Sequence, residues 1–266
     1  MATSSDTDFK LLYDSEYEPL IQRVLGTIYG QCVGDAIGLL TEFLTKSEAK
    51  KAAELVWDVN GQWLAPNGAV MRTSILGIHR YQDLDVVAKN AIAMAKVTHA
   101  DPRCQASAVA VSVAIALMLQ RNQKHLDKKG HYNIKELIHD VYECASKCLK
   151  TDEQKAELKK YLKRKSLKEL HLDEAGKIGY TYKSMGSGFW ALKQDNFRTA
   201  IQNVTMEGGD ADTNACVAGA LLGCKLGMSA IPTSWRDKLR HKQWLDRIIQ
   251  RYFDMVGWRK VEDNTS

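Results

Sequence analysis

The chain has 266 residues, of which 45% are apolar and 26% charged, a balance that suits a soluble globular protein with a sizeable core and argues against disorder. Its net charge of +5 is too mild to mark a nucleic-acid binder, and with only four prolines a helix-dominated chain is favoured. Six cysteines (Cys32, Cys104, Cys144, Cys148, Cys216 and Cys224) form no C-x-x-C pair, and no apolar signal region opens the chain. An intracellular, reducing compartment is therefore expected, cytoplasmic or nuclear.

Residues 1–16 are polar and are expected to be a loose tail, with one domain over 17–266. A first helix is expected from about Tyr17 to Leu39. Within it Gly26, Gly30, Gly34 and Gly38 recur every four residues. Each mid-helix glycine costs ~1 kcal/mol relative to alanine, so four on one ridge call for close approach of a second helix. Ala215, Gly219, Gly223 and Gly227 form a matching small ridge near the C-terminus, and the two helices are expected to cross at near contact, bringing Glu42 close to Asp210 and Asp212.

Between these ridges, Asn67-Gly68 is a turn dipeptide running into a short apolar segment. Asp101 followed by Pro102 is an N-cap with proline at the first helical position, opening a core helix that carries Ala106–Leu119, too short a run to span a bilayer. Asn133 is expected to cap a helix to about Lys150. Thr151 with Gln154 and Ser166 with Glu169 have capping-box spacing and are expected to open two more helices. The basic run Lys159–Lys168 has leucines and a tyrosine at helical spacing, as the solvated face of a helix does. Residues Ile178–Gly188 are rich in glycine and hydroxyls and precede an expected helix starting at Phe189; Pro232 opens a C-terminal region anchored by tryptophans and aliphatics. No linker or repeat divides the chain.

Four stretches could carry chemistry. Asp210-x-Asp212-Thr213 offers two carboxylates and a hydroxyl suited to a hard cation such as Mg²⁺; equally, Asp212 or Thr213 could cap the following helix while Asp210 faces water, and spacing alone leaves both readings open. Exposed amides at Asn67-Gly68 could cradle a phosphate, although an ordinary turn has the same sequence. His99 precedes a helix cap, where a hydrogen-bonded structural histidine is the commoner finding. Tyr180, Tyr182, Gly186, Ser187 and Gly188 could surround a sugar or base. Cys144 and Cys148, one helical turn apart with His139 nearby, suggest buried thiols before a metal site.

Taken jointly, GQCVGDAIGLLTEF (30–43), PNGAVMRTSILG (66–77), THADPR (98–103), GKIGYTYKSMGSGFWAL (176–192), GGDADTNACVAGALLGCKLG (208–227) and IPTSW (231–235) resemble the ADP-ribosylglycohydrolases. That group includes the dinitrogenase-reductase-activating glycohydrolases and the J1 crystallins. The resemblance implies an all-α, single-domain orthogonal helical bundle with two Mg²⁺ ions in a cleft that takes ADP-ribose, acting on the C1″ bond of ADP-ribosylated substrates or ADP-ribose derivatives. It assigns Asp210, Asp212 and Thr213 to the metal, with Asp212 bridging, and Glu42 and Asp212 to the catalytic centre. Asn67 and Gly68 match the ribose and diphosphate loop, His99 a substrate-contacting histidine, and Tyr180 with Gly186, Ser187 and Gly188 the wall over the distal ribose. A monomer without membrane or nucleic-acid partners is expected.

The chain departs from the family in one place. Members carry a Thr-Asp-Asp-Thr motif, half of the metal site, between the helix ending in EFLTKSEAKK and the PNGAVMR segment. No such motif occurs here, and Glu54 and Asp58 are the acids left in the shortened interval that could substitute. With one carboxylate pair, a glutamate and a threonine, one metal ion or none is expected. The alternative function is then a catalytically impaired ADP-ribose-binding or crystallin-like structural protein.

Overall fold

The computed structural model describes residues 18–38 and 65–258. The tail 1–16 and the residues Glu42, Glu54 and Asp58 lie outside the described residues. Among the described residues, eleven α-helices follow in chain order: α1 (Glu18–Gly38), α2 (Gly68–Thr73), α3 (Leu84–Lys96), α4 (Pro102–Gln120), α5 (Ile134–Ala145), α6 (Asp152–Lys163), α7 (Thr181–Ala191), α8 (Phe197–Met206), α9 (Ala211–Leu226), α10 (Thr233–Arg236) and α11 (Lys242–Val256). Among the described residues there is no strand, only isolated bridges at Pro66–Tyr180 and Leu126–Tyr132.

The centre consists of α4, α7 and α9, which are apolar or small nearly all round and buried over almost their whole length. A helix hydrophobic on every side has no solvent face to offer and must be enclosed. α4 is long and apolar enough by composition to cross a bilayer, and 89% of its most apolar window is covered by the rest of the fold. Around this centre, amphipathic helices each bury one stripe: α3 and α5 on α4, α6 on α7, and α8 on α9.

α1 lies along α9 by the two small ridges. A Cβ on Gly30 would collide with the Gly219 carbonyl oxygen and sit 2.9 Å from the Gly219 carbonyl carbon; Gly26 meets Gly223, and Gly34 meets Ala215, in the same way. Backbone touches backbone over three turns, which requires a glycine on at least one side of each contact. The pairing of Gly34 with Ala215 and of Gly26 with Gly223 makes the helices antiparallel, so α1 ends beside the start of α9.

Local signals set most helix starts. Asp101 accepts from the Arg103 amide at 2.8 Å, ahead of Pro102 at the start of α4. Asn133 accepts from Glu136 N, Asn196 from Thr199 N, and Thr151 with Gln154 forms the complete capping box of α6. Elsewhere the structure corrects the expectation. α5 ends at Ala145 and continues only as a 3-10 turn to Cys148. Ser166 opens a four-residue 3-10 turn instead of an α-helix, because Leu167 and Leu170 are both buried and His171 ends it in the left-handed region; Glu169 pairs with Arg164 at 3.1 Å and takes no part in a capping box. The segment after Asn67-Gly68 is helical, and α7 begins at Thr181, eight residues before the expected Phe189.

Candidate functional site

Three segments far apart in sequence meet at the first turn of α9. The stretch before α2 is tied to the stretch before α7 by Asn67 N donating to Gly179 O and Thr181 N donating to Ala65 O, both 2.9 Å. This places Asn67 over the end of α9. Its Nδ2 donates to Asp210 Oδ2 at 2.7 Å and to Ser184 Oγ at 2.9 Å. Ser184 Oγ donates in turn to Asn214 Oδ1 at 2.8 Å. The chain Asp210–Asn67–Ser184–Asn214 is buried except at its Asp210 end, and a buried network of this kind fixes its members' positions.

Asp210 occupies the N-cap position of α9 but makes no side-chain capping bond; it turns instead to Asn67. Asp212 and Thr213 stand inside the first turn and are 6% and 3% exposed. Neither is the cap, so the helix-capping explanation of these acids fails. Thr213 Oγ1 contacts Met71 Sδ at 3.5 Å, which fastens α9 to α2. The helix dipole's positive end favours both carboxylates here.

The turn feeding α9 depends on two glycines with φ of +68°. A Cβ on Gly209 would come within 2.8 Å of the Leu172 carbonyl carbon, so the turn packs directly on the 171–179 loop. That loop is clamped from below by Lys183, fully buried, which donates to His171 O and to Glu174 Oε2 at 2.9 Å. Lys177 and Lys183 beside Glu174 hold its carboxyl down at about 2.

Tyr180 stands at the edge of the same region. Its hydroxyl donates to Glu157 Oε1 at 2.9 Å, and the Arg103 guanidinium lies 5.7 Å from the ring centroid. Burial and the Glu157 charge push the phenol far up, so it remains neutral. Arg103 pairs with Asp101 at 2.6 Å, which raises the guanidinium further. His99 covers Gly68: a Cβ on Gly68 would lie 3.2 Å from His99 Cε1. Burial first, then Arg72, lowers the His99 pKa, and the imidazole is neutral near pH 7.

Asn67, Gly68, His99, Tyr180, Asp210, Asp212 and Thr213 are thus gathered around one end of α9 or on the elements directly against it. Gly186, Ser187 and Gly188 are not; the expected loop wall is the buried interior of α7. Gly186 faces Leu170 and Tyr161, Gly188 faces Val217 and Leu221, and Ser187 Oγ returns to Lys183 O at 3.0 Å. Small residues there serve helix packing. Tyr182, likewise fully buried, belongs to the core. The sequence reading does not single out Ser184 or Asn214; Ser184 lies in the hydroxyl-rich Ile178–Gly188 stretch, and Asn214 directly follows Thr213.

The donors beside Asp210 are carboxylate and hydroxyl oxygens, the chemistry a hard divalent cation prefers. Two carboxylates and one hydroxyl fit a cation that keeps several waters. Among the described residues, no group of three or more His, Cys, Asp or Glu side chains comes together to hold a metal. That includes Cys144, Cys148 and His139: His139 is exposed, and burial pushes both thiols up, Cys148 to about 11.

A sequence profile of the ADP-ribosylglycohydrolases matches residues 16–65 and 54–261. The chain is 26% identical to an uncharacterised protein of Archaeoglobus fulgidus over 215 residues, 79% of this chain and 65% of that one. It is 31% identical over 88 residues to the ADP-ribosylarginine hydrolase Tri1 of Pseudomonas putida, covering 33% of this chain and 24% of Tri1. Over 62 residues it is 38% identical to the ADP-ribosyl-[dinitrogen reductase] glycohydrolase of Rhodospirillum rubrum, 23% of this chain and 20% of that enzyme. These matches therefore span less than two thirds of the relatives' own lengths. Among solved structures, an ADP-ribosylglycohydrolase-related protein complex superimposes with a TM-score of 0.58 at 16% identity, covering 90% of this chain and 99% of that one, which establishes the shared all-α fold. Motif order, fold and family profile agree over nearly the whole chain, which belongs to the ADP-ribosylglycohydrolase family.

Proposed function

We propose that this chain is an ADP-ribosyl hydrolase that cleaves the bond between C1″ of the distal ribose and its acceptor group, with Mg²⁺ as cofactor. The observation that carries the reading is the 2.7 Å hydrogen bond from Asn67 to Asp210, which joins the nucleotide-loop motif to the carboxylate motif in one place. Asn67, Gly68, His99 and Tyr180 would bind and orient the ADP-ribosyl group. Asp210, Asp212 and Thr213 would hold Mg²⁺, which supplies Lewis-acid polarisation of bound hydroxyl or water oxygens.

Glu42 is the general base in this proposal. α1 ends at Gly38 on the Asp210 side of α9, and four residues span up to ~14 Å. The Glu42 carboxylate takes a proton from water as the water oxygen bonds to C1″, and the acceptor leaves with its bonding pair and receives that proton from Glu42. The enzyme would work inside the cell as a monomer, on ADP-ribosylated protein or a small ADP-ribose derivative.

A second reading, an ADP-ribose binder without turnover, is favoured by one observation: the Thr-Asp-Asp-Thr motif is absent from the sequence. Calorimetric titration with ADP-ribose, with and without Mg²⁺, followed by a release assay on ADP-ribosylated protein, tests both. Binding with release supports the hydrolase, binding without release the silent binder, and no binding by wild type together with Asn67→Ala removes both.

A further inference from the structure

Beside Gly68, Arg72 and Thr98 form a short relay to His99, and neither of the two has a role in the mechanism above. Arg72, on α2, donates from Nη2 to Met94 O at 2.9 Å and to Thr98 Oγ1 at 2.5 Å, and from Nε to Gly68 O at 3.2 Å. Thr98 Oγ1 is 2.6 Å from His99 Nδ1. The guanidinium has only donors, so Thr98 Oγ1 must accept from it. The adjacent positive charge makes the hydroxyl's own O–H a stronger donor, and the ring nitrogen is an acceptor within its reach. A ring nitrogen that accepts carries no proton. With the hydroxyl donating to Nδ1, the proton of a neutral imidazole is on Nε2, which has no hydrogen-bond partner among the described residues and lies on the ring edge covering Gly68.

We infer that Arg72 and Thr98 are positioning residues that hold His99 in the Nε2–H tautomer, making it a hydrogen-bond donor to an anionic oxygen, such as a diphosphate oxygen of ADP-ribose, seated over Gly68. The ligand identity rests on the function proposed above; the tautomer does not. Two features of the surroundings agree. The Arg72 charge and burial both disfavour a second proton on the ring, against the weaker opposite influence of Asp101. Arg72 pairs with no carboxylate among the described residues, so its charge stays available to polarise the relay and to favour an anion nearby.

The test is a long-range ¹H–¹⁵N spectrum of uniformly labelled protein at pH 7.5, the His99 signals being assigned by their loss in His99→Gln. The expected result is Nδ1 as the bare, pyridine-type nitrogen and Nε2 as the protonated one. Thr98→Val, a near-isosteric change at an exposed side chain, should shift protonation towards Nδ1 and weaken ADP-ribose binding about tenfold, the effect of misdirecting one hydrogen bond to a charged group. Thr98→Ser should restore both. A protonated Nδ1 in wild type, or a Thr98→Val protein with wild-type tautomer and affinity, overturns the inference. If wild type binds no ADP-ribose, the proposed function fails, while the spectrum still decides the tautomer.

Discussion

Replacing Gly30 by alanine probes the α1–α9 crossing with the smallest possible perturbation. Considered as helix chemistry alone, the change is favourable, by ~1 kcal/mol in propensity, which includes the smaller backbone entropy lost on folding. The structure opposes it. The new Cβ would overlap the Gly219 carbonyl oxygen, sit 2.9 Å from its carbon and 3.3 Å from the Gly223 Cα, and none of these atoms can rotate away. Relief requires the two backbones to part by about 1 Å, which also loosens the contacts at Gly26 and Gly34. Overpacking of this kind costs ~1–3 kcal/mol, and a backbone-to-backbone clash belongs at the upper end. The net expectation is a loss of about 2 kcal/mol, or roughly 4–8 °C in a chain of this size. Thermal melts followed by circular dichroism at 222 nm measure it. Combining Gly30→Ala with Gly219→Ala should cost less than the sum of the single changes, since separation caused by one also relieves the other. An unchanged or raised melting temperature for Gly30→Ala would refute the reasoning.

Three further outcomes are expected. Asp212→Asn should abolish stabilisation by Mg²⁺ while leaving the metal-free melt unchanged or higher, because repulsion between neighbouring carboxylates is relieved; equal Mg²⁺ responses in the two proteins would remove Asp212 from the metal site. Glu174 has a folded pKa of about 2 against an ordinary 4.5, a depressed carboxylate, so its contribution is full above pH 4.5 and is lost as pH falls towards 2. The stability difference between wild type and Glu174→Gln should accordingly shrink on acidification through that window, and a difference that grows would contradict the Lys183 clamp. A longer chain restoring a Thr-Asp-Asp-Thr stretch should gain far more in ADP-ribose release than in ADP-ribose affinity, measured by release assay and calorimetry, because the added ligands act at the reacting centre.

The glycine ridges were legible in the sequence because their spacing leaves one economical explanation: two surfaces without side chains, each wasteful in an isolated helix, match each other. The caps at Asp101, Asn133 and Thr151 were equally legible, since each depends on a few neighbouring residues. The start of α7 was not. Gly186, Ser187 and Gly188 have loop-like local preferences, yet Leu170, Tyr161, Val217 and Leu221 fill the space against them, and tertiary packing overrides the propensity. The Ser166 segment failed for a related reason: its capping spacing is genuine, but the burial of Leu167 and Leu170 three residues apart suits a 3-10 turn. At the site, residue types announced Asp210, Asp212 and Asn67. Their direct hydrogen bond, and the dependence of Asn67 on Ser184, come from a bridge between residues more than a hundred positions apart, which no local pattern carries.

The most direct test of the central claim is release of ADP-ribose from an ADP-ribosylated protein at saturating Mg²⁺, comparing wild type with Asp210→Asn. The account predicts measurable release by wild type and loss of at least tenfold in the variant, with its fold intact by circular dichroism. Absence of release by a wild-type chain that demonstrably binds ADP-ribose, or equal release by both proteins, would contradict it.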